Sequence, residues 1–502
     1  MSDDLNLSMF RGYDIRTPSS GLTPDLAARL ARAEAKYIRE VLGANAVVVA
    51  HDARSSGPQY LAIATEEFLA SGLDVLWVPG VSSTCMAYFS AMCHPEHAAI
   101  MFGASHNPAG DTGQKVLGPG VAPIAEGIGP EGGLAAIRDL YVSGEQLTGR
   151  QRGRLTAFEP MADYVAYSLC LAGVEQGSLR GARVFQDYLF GAAGREMVIA
   201  FERAGAELTP MHFVADGAFP LGAPNPVKDD VTAPGRAALT RGGFLLGMFF
   251  DGDGDRLDIY RGDGAYLSSS FAYAAILPFI RERLGDAGRS VFADLKSNPL
   301  AVIEMAKCGV DVRVVRNGHS QIKHTLMGDP SAIGAVEESA HFYEAFERDG
   351  GRYCTENTLY IALLVTRAWL EDPVRFDELM ALQSTVARER EWGFMFPSNA
   401  ARADALTAVE EHFAAQGLRA MCEMDTGMDL EATLMRRGLP FQIGVDTVLC
   451  DDWLQVCHRA SQSEDGLARW EVVGDHEASV RQAKREVADV VRRFGAGDEY
   501  QG

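Results

Sequence analysis

Short apolar runs in this chain end abruptly in loops crowded with charged and hydroxyl side chains. Residues 98–102 (Ala-Ala-Ile-Met-Phe) run into Gly103-Ala104-Ser105-His106-Asn107-Pro108. Residues 244–250 (Phe-Leu-Leu-Gly-Met-Phe-Phe) run into Asp251-Gly252-Asp253-Gly254-Asp255-Arg256. Residues 332–336 (Ala-Ile-Gly-Ala-Val) run into Glu337-Glu338-Ser339-Ala340-His341. Continuous apolar runs of this length bounded by turn residues predict strands buried on both faces. Each is third in a similar series. First strands are predicted over 46–50, 183–186 and 290–293, a helix-length segment follows each, and Gly72, Gly205 and Gly309 introduce second strands. Strands alternating with helical segments predict parallel α/β units. Glycine followed by a strand is common in any α/β protein, but here all three elements recur in order. The period is too long for a solenoid, so the chain is expected to hold three similar α/β domains. Ligands of open α/β sheets bind outside the carboxyl ends of strands, so the three loaded loops are expected to converge on one cleft.

Boundaries follow from the loops between these series. Gln151-Arg152-Gly153-Arg154 reads as a first linker and Arg261-Gly262-Asp263-Gly264 as a turn closing the second series. The expected domains are 1–152, 153–262, 263–385 and 386–502. Residues 370–390 are predicted helical and lead into Trp392-Gly393-Phe394-Met395-Phe396-Pro397. The remainder alternates strands with an amphipathic helix over 477–493 and lacks the threefold pattern, so an α+β domain is expected there. The tail 495–502 is predicted to fray.

Composition narrows the function. A length of 502 residues implies several domains at about 100–200 residues each, and 47% hydrophobic content supplies their cores. No apolar run approaches the ~20 residues of a membrane span, and the N-terminus is acidic rather than signal-like. Eight scattered cysteines without paired-ligand spacing suit reduced thiols, not disulfides or zinc. A cytoplasmic location is expected. The net charge of −22 argues against nucleic-acid and membrane partners. An anionic substrate then requires lysines and arginines gathered locally.

Three carboxylates at alternate positions, Asp251, Asp253 and Asp255, repel unless compensated. A divalent cation is the simplest compensation, and carboxylate oxygens suit Mg²⁺. An EF-hand is excluded, because its sixth and twelfth positions need Gly and Glu and here hold Arg256 and Gly262. The alternatives are a solvated Asp-Gly turn and a phosphatase using Asp251 as nucleophile. Ser105 is a weak nucleophile until a base, metal or positive field activates it, which His106, Lys115 and a nearby cation would supply. A helix N-cap followed by an Asn-Pro turn is the competing reading. Glu337 and Ser339 suit hydrogen bonding to vicinal sugar hydroxyls, and His341 can move protons near neutrality. A helix start is the alternative for that segment, and a lone histidine such as His319 is more often structural than catalytic.

Five blocks carry a family resemblance. Phe10-Arg11-Gly12-Tyr13-Asp14-Ile15-Arg16, Ala104-Ser105-His106-Asn107-Pro108 with Gly113-Gln114-Lys115, Asp251 to Arg256, Asn317-Gly318-His319-Ser320-Gln321-Ile322-Lys323, and Glu337 to His341 resemble successive motifs of the α-D-phosphohexomutases, in the phosphomannomutase/phosphoglucomutase branch. A weaker match is Arg459-Ala460-Ser461-Gln462-Ser463-Glu464-Asp465, which resembles the family's phosphate loop Arg-Pro-Ser-Asn/Gly-Thr-Glu-Pro without either proline. Ala340 replaces the family's usual Gly, and 349–358 departs from its Asp-Asp-Gly-Ile-Tyr pattern.

The resemblance implies three similar α/β domains with mixed sheets plus a C-terminal α+β domain, heart-shaped around a central cleft. It implies interconversion of hexose 1-phosphate and hexose 6-phosphate, of mannose and/or glucose, through a phosphoserine and a sugar 1,6-bisphosphate. Ser105 carries the phosphoryl group in this scheme. His106, Lys115, Arg16 and His341 assist catalysis, and Ser105, Asp251, Asp253 and Asp255 hold one Mg²⁺ per chain. Tyr13, Arg256, Lys296, His319, Glu337, Ser339, Arg459, Ser461, Gln462 and Ser463 bind substrate. Glucose 1,6-bisphosphate or mannose 1,6-bisphosphate is the expected activator, sugar phosphates the small-molecule partners, and a monomer or weak homodimer the expected state. A magnesium-dependent sugar phosphatase and a non-catalytic sugar-phosphate-binding relative are the alternatives.

Overall fold

A computed structural model describes residues 5–147, 151–285, 288–461 and 466–501. They form two compact units: Met1–Tyr266 with His319–Gly328 and His341–Leu370, and Leu267–Gly318 with Asp329–Ala340 and Glu371–Gly502.

The first unit contains two mixed sheets. In one, Ala46–His51 lies between Ala98–Phe102 and Asp74–Val81, all parallel, and Asp111–Gly118 pairs antiparallel to Ala98–Phe102. In the other, Arg183–Asp187 lies between Leu246–Phe250 and Glu207–Met211, again parallel, with Leu257–Arg261 antiparallel to Leu246–Phe250. The four strands named in each sheet therefore run fourth, third, first, second in chain order. Every residue of Ala46–His51, Ala98–Phe102 and Leu246–Phe250 is buried, as expected of strands covered on both faces. The helix Pro24–Lys36 begins where Thr23 accepts a hydrogen bond from the Leu26 amide and Pro24 occupies the first turn, a strong start signal. With Gly57–Ala70 it buries Leu30, Phe68, Val47 and Val49 in one apolar core, each worth about 1.5–3 kcal/mol over exposure. The unit also holds the helix His319–Gly328 and the hairpin His341–Arg348/Gly351–Glu356.

In the second unit Ser290–Asp294 lies between Ala332–Glu337 and Asp311–Val315, all parallel. The third, first, second order thus recurs a third time. A separate antiparallel sheet runs Arg419–Glu423, Asp429–Arg437, Leu454–Ala460, Leu467–Gly474, Ala387–Met395, Glu499–Gln501. The helices Asn399–Ala414 and Glu477–Val491 cover it, with Val409, Phe413 and Val487 sharing one core with Trp470 of the sheet, giving the α+β architecture expected.

Two local expectations change, and one competing reading falls away. The helix predicted over 370–390 ends with Pro373–Ser384, and a strand starts at Ala387 because it finds a partner in Leu467–Gly474. The tail predicted to fray adds the strand Glu499–Gln501 to the open edge of Ala387–Met395, where unpaired backbone groups accept a further strand. The Ser105 segment is a turn, not a helix start.

Candidate active site

The strand Ala98–Phe102 delivers the chain to Gly103, where a Cβ would lie 2.6 Å from Asp52 Oδ2; only glycine fits. Ser105 follows with φ 48°, a left-handed backbone that costs a non-glycine residue about 1–2 kcal/mol. Arg54 holds the loop in this state. Its Nη2 donates to the carbonyls of Ser105 (2.8 Å) and Asn107 (2.7 Å), and its Nη1 to those of Pro108 (2.5 Å) and Asp111 (3.2 Å). Its Nε donates to Asp52 Oδ2 at 3.2 Å. Burial pushes the Asp52 carboxyl up to about 6, against the opposing field of Arg54. The Ser105 hydroxyl ends 2.9 Å from Asp251 Oδ2 and 3.2 Å from His106 Nδ1.

Asp251, Asp253 and Asp255 are buried, with one oxygen from each lying within 4.8 Å of the others. Asp251 Oδ1 accepts the backbone N–H groups of Gly254, Asp255 and Arg256 at 3.0, 3.1 and 3.2 Å, which closes the loop. Lys115 Nζ donates to Asp253 Oδ2 at 2.7 Å and Asp255 Oδ2 at 2.5 Å, and Thr84 Oγ1 to Asp253 Oδ2 at 2.6 Å. Asp253 Oδ1 and Asp255 Oδ1 are buried with no hydrogen-bond partner among the described residues. Burial raises the Asp251 carboxyl well above its usual range, and Asp253 and Asp255 add to the rise. Orphaned anionic oxygens in an all-oxygen set, with the Ser105 hydroxyl beside them, fit a hard divalent cation such as Mg²⁺. Burial opposes the charge on Lys115, but Asp253 and Asp255 outweigh it and hold the ammonium well above its usual range.

Proton-handling groups adjoin this loop in the same unit. His341 Nδ1 is 2.6 Å from Glu356 Oε1 and 3.8 Å from Asp255 Oδ1. Burial disfavours the imidazolium, yet the two acids raise its pKa above the usual value. Glu356 also accepts from Lys323 Nζ at 3.1 Å. Arg256 Nε lies 3.7 Å from Asp251 Oδ2. Arg16 donates to Asn107 Oδ1 at 2.7 Å and pairs with Asp14. Tyr13 meets the His319 ring edge-on at 5.4 Å, and burial, with Lys323 and Lys115, holds His319 well below its usual pKa.

The remaining expected residues belong to the second unit. Asn317 Nδ2 donates to Glu337 Oε1 at 3.1 Å and to Asp294 Oδ2 at 2.8 Å. Lys296 Nζ is 3.9 Å from Asp294 and 3.2 Å from Glu391. Arg459 Nη2 reaches the same Glu391 oxygen at 3.3 Å. Ser339 is half-buried in a turn that ends at Ala340 with φ 74°. That conformation explains why glycine suits the position, and an alanine there carries strain. Ser461 donates its N–H to the Leu467 carbonyl at 2.8 Å. Gln462 and Ser463 lie outside the described residues.

Sequence reasoning missed Arg54, Asp52, Glu356 and Glu391. The first pair had a signal: the apolar run 46–50 ends in His51-Asp52-Ala53-Arg54, the same strand-to-charge transition that marked the other loops. Glu356 likewise ends the strand Gly351–Glu356, so the stretch that departs from the family pattern supplies the acid that orients His341.

Residues 7–128 match the α/β/α domain I of phosphoglucomutase/phosphomannomutase, and residues 162–264 match its domain II. The chain is 29% identical over 360 residues to a phosphoglucomutase of Neisseria meningitidis, covering 70% of this chain and 74% of that protein. It is 25% identical over 423 residues to a phosphomannomutase of Escherichia coli K12, covering 82% and 88%. A phosphoglucomutase/phosphomannomutase family protein from Burkholderia thailandensis shares the fold with a TM-score of 0.75 at 22% identity, covering 98% of each chain. Motifs, sheet order and relatives together place the chain in the α-D-phosphohexomutase family.

Proposed function

We propose that this chain interconverts hexose 1-phosphates and hexose 6-phosphates of mannose and/or glucose through a phosphorylated Ser105 and a sugar 1,6-bisphosphate. It is an enzyme, an intramolecular phosphotransferase of the phosphoglucomutase/phosphomannomutase class. The observation that carries the serine route is the Ser105 hydroxyl aimed at the buried triple-aspartate loop, 2.9 Å from Asp251.

In the proposed cycle a sugar hydroxyl oxygen attacks the phosphorus on Ser105 Oγ. The Oγ–P bond breaks, the hydroxyl proton passes to a protein base, and the freed Ser105 Oγ takes up a proton. Ser105 Oγ then gives up that proton as it attacks the other phosphorus of the bisphosphate, the sugar O–P bond breaks, and the freed sugar oxygen takes up a proton. Such transfers depend on positioning and charge neutralisation more than on covalent help. Ser105, Asp251, Asp253 and Asp255 would hold one Mg²⁺, which when bound offsets phosphoryl charge. Arg256 and the protonated Lys115 add fixed positive charge. Glu356 engages His341 Nδ1, leaving Nε2 to exchange the proton, with Arg16 and His106 completing the catalytic set. Tyr13 and His319 contact substrate, Glu337 and Ser339 recognise its hydroxyls, and Lys296, Arg459, Ser461, Gln462 and Ser463 bind the phosphate that is not reacting.

We further propose the four-domain division at 152, 262 and 385, a sugar 1,6-bisphosphate activator, a monomeric or weakly dimeric state and a cytoplasmic location. All eight cysteines are free thiols, which suits a reducing compartment, and no helix among the described residues is long and apolar enough to cross a membrane. A phosphatase with Asp251 as nucleophile fits less well, because three backbone amides anchor one Asp251 oxygen. The test is a coupled assay with glucose 1-phosphate and mannose 1-phosphate, with and without glucose 1,6-bisphosphate. Isomerised product should far outpace free phosphate; phosphate release equal to substrate loss would refute the mutase cycle.

A further inference from the structure

The segment Cys93-His94-Pro95-Glu96-His97 has no part in the cycle above. It leaves the C-terminus of the helix Thr84–Met92 and places one ligand atom from each of His94, Glu96 and His97 within 4.8 Å of the others. Two imidazoles and a carboxylate oxygen make the mixed nitrogen–oxygen set that zinc-class dications take. We propose that His94, Glu96 and His97 form a second metal site, which binds Zn²⁺ or a similar transition dication with water completing its coordination. The site is separate from the all-oxygen aspartate loop. Thr84, at the other end of the helix, donates through Oγ1 to Asp253 Oδ2 at 2.6 Å, and the nine helical residues between span roughly 14 Å.

The local fold brings these ligands together. Successive turns are closed by the His94 N–H on the Ala91 carbonyl at 3.0 Å and the His97 N–H on the His94 carbonyl at 2.9 Å. They stack the two rings with centroids 5.4 Å apart and planes 5° from parallel. Pro95 between them has a fixed φ, and its carbonyl accepts the Gly120 N–H at 2.7 Å, so little backbone freedom remains to be lost on binding. Ligand atoms about 2.0–2.1 Å from a tetrahedral zinc lie roughly 3.3–3.4 Å from one another. Glu96 Oε1 and His97 Nδ1 are already 3.4 Å apart. A metal binds in the plane of an imidazole, so the parallel rings must tilt to share one ion. His94 is held against the Phe158 ring, with centroids 4.7 Å apart, whereas His97 and Glu96 are 18% and 68% exposed and have room to turn. His94 supplies a further sign of a ligand: its Nε2 is buried with no hydrogen-bond partner among the described residues. Such an atom is destabilising, and coordination removes the penalty. The carbonyl end of the helix favours a cation as well. Arg348 opposes one, since its field reaches His94. Its charge is shared with Asp349 at 3.2 Å, and its Nη1 donates to Cys93 Sγ at 2.6 Å, which keeps that thiol out of the proposed set.

The test is titration of the full chain in excess Mg²⁺ with Co²⁺, read by visible d–d absorption, and with Zn²⁺, read by calorimetry. Wild type, His97→Ala, Glu96→Gln and Asp253→Asn are compared. A low-coordinate nitrogen–oxygen site should give the cobalt form a visible band that His97→Ala removes and Asp253→Asn retains. Zn²⁺ affinity should fall at least about tenfold in His97→Ala and about tenfold in Glu96→Gln, since loss of even a supporting partner of a ligand costs about 10–100-fold. Glu96 is largely exposed, so Glu96→Gln keeps the test open if His97→Ala folds poorly. Zn²⁺ affinity unaltered in both variants overturns the proposal, as does a visible band that survives His97→Ala. Loss of the band in Asp253→Asn would put the ion on the aspartate loop, and a near-ultraviolet thiolate charge-transfer band would put it on a cysteine; either result also overturns the proposal.

Discussion

Arg54→Lys should cripple the nucleophile loop while keeping its charge. The two terminal nitrogens of Arg54 each serve a pair of carbonyls, Ser105 and Asn107 on one side and Pro108 and Asp111 on the other, while Nε serves Asp52. A lysine has a single nitrogen with three donors, so it can satisfy one pair and Asp52 but not the second pair. Two hydrogen bonds from a charged donor, at about 1.5–3 kcal/mol each, set an upper limit near 3–6 kcal/mol. Part returns as water reaches the loop, so a net loss of about 3 kcal/mol is expected. The effect on chemistry comes through Ser105. Its φ of 48° persists only because the surroundings over-determine it. Once the carbonyl clamp slackens, the serine relaxes toward ordinary backbone and the hydroxyl leaves Asp251. A misplacement of about 1 Å costs on the order of 100-fold in rate, or about 2.7 kcal/mol of barrier. Mutase turnover, intact-protein mass spectrometry of Ser105 phosphorylation and thermal melting should be read together. A lysine variant that turns over within about twofold of wild type, with Ser105 phosphorylated to the same extent, refutes the clamp.

The remaining predictions are more direct. Ser105→Ala should lower turnover at least ~100-fold and abolish the phosphorylated mass species. Asp253→Asn should weaken magnesium affinity measured by calorimetry and leave the fold intact, and chelation of the wild type should abolish activity reversibly; full activity after exhaustive chelation would make the loop structural. Glu34 is buried beside Gln114, and burial raises its carboxyl well above the usual range. The folded state therefore binds the proton more tightly than the unfolded state, so this group's contribution is fully present below about pH 4.3 and is lost as pH rises through the folded pKa. Glu34→Gln should accordingly raise the melting temperature at pH 7–8 relative to wild type, with the gain shrinking toward pH 4.3; a gain independent of pH would show that Glu34 is not the titrating group.

What was legible in the sequence was whatever lies close along the chain. Asp251, Asp253 and Asp255 form a cage within five consecutive positions, and Ser105 and His106 are adjacent, so composition and spacing carry their chemistry. The threefold strand pattern was legible for the same reason, since each apolar run is local. Arg54 and Ser105 are 51 positions apart, Lys115 and Asp253 138, and Arg459 and Glu391 68. No local pattern brings such pairs together: Arg54 and Ser105 meet because they follow neighbouring parallel strands, Lys115 and Asp253 come from two different sheets, and Arg459 and Glu391 come from strands that both pair antiparallel with Leu467–Gly474. At Ser105 local propensity left a helix start open beside the preferred reading, and the turn found there is held by Arg54 through the carbonyls of Ser105, Asn107, Pro108 and Asp111, contacts that no local pattern announces. In the tail, backbone pairing with an open sheet edge overrode the fraying expected of a chain end.

The choice between serine and aspartate as nucleophile turns on which oxygen is held and which is aimed. Asp251 Oδ1 is committed to three backbone amides, and moving it to attack phosphorus would open the loop that also carries Asp253 and Asp255. Asp251 Oδ2 already accepts the Ser105 hydroxyl. Attack through Asp251 Oδ1 would break three hydrogen bonds, and attack through Oδ2 would require the Ser105 hydroxyl to leave it, whereas attack by Ser105 Oγ gives up only contacts made by its own hydroxyl. The left-handed backbone at Ser105 points the same way. Strain of about 1–2 kcal/mol is retained at a residue whose hydroxyl must be aimed, and it is stabilised by a buried arginine that contacts the loop only through its backbone carbonyls. Such an arrangement fixes the position of the serine while leaving its side chain unencumbered by the clamp, which is what a residue that gains and loses a phosphoryl group in every cycle requires.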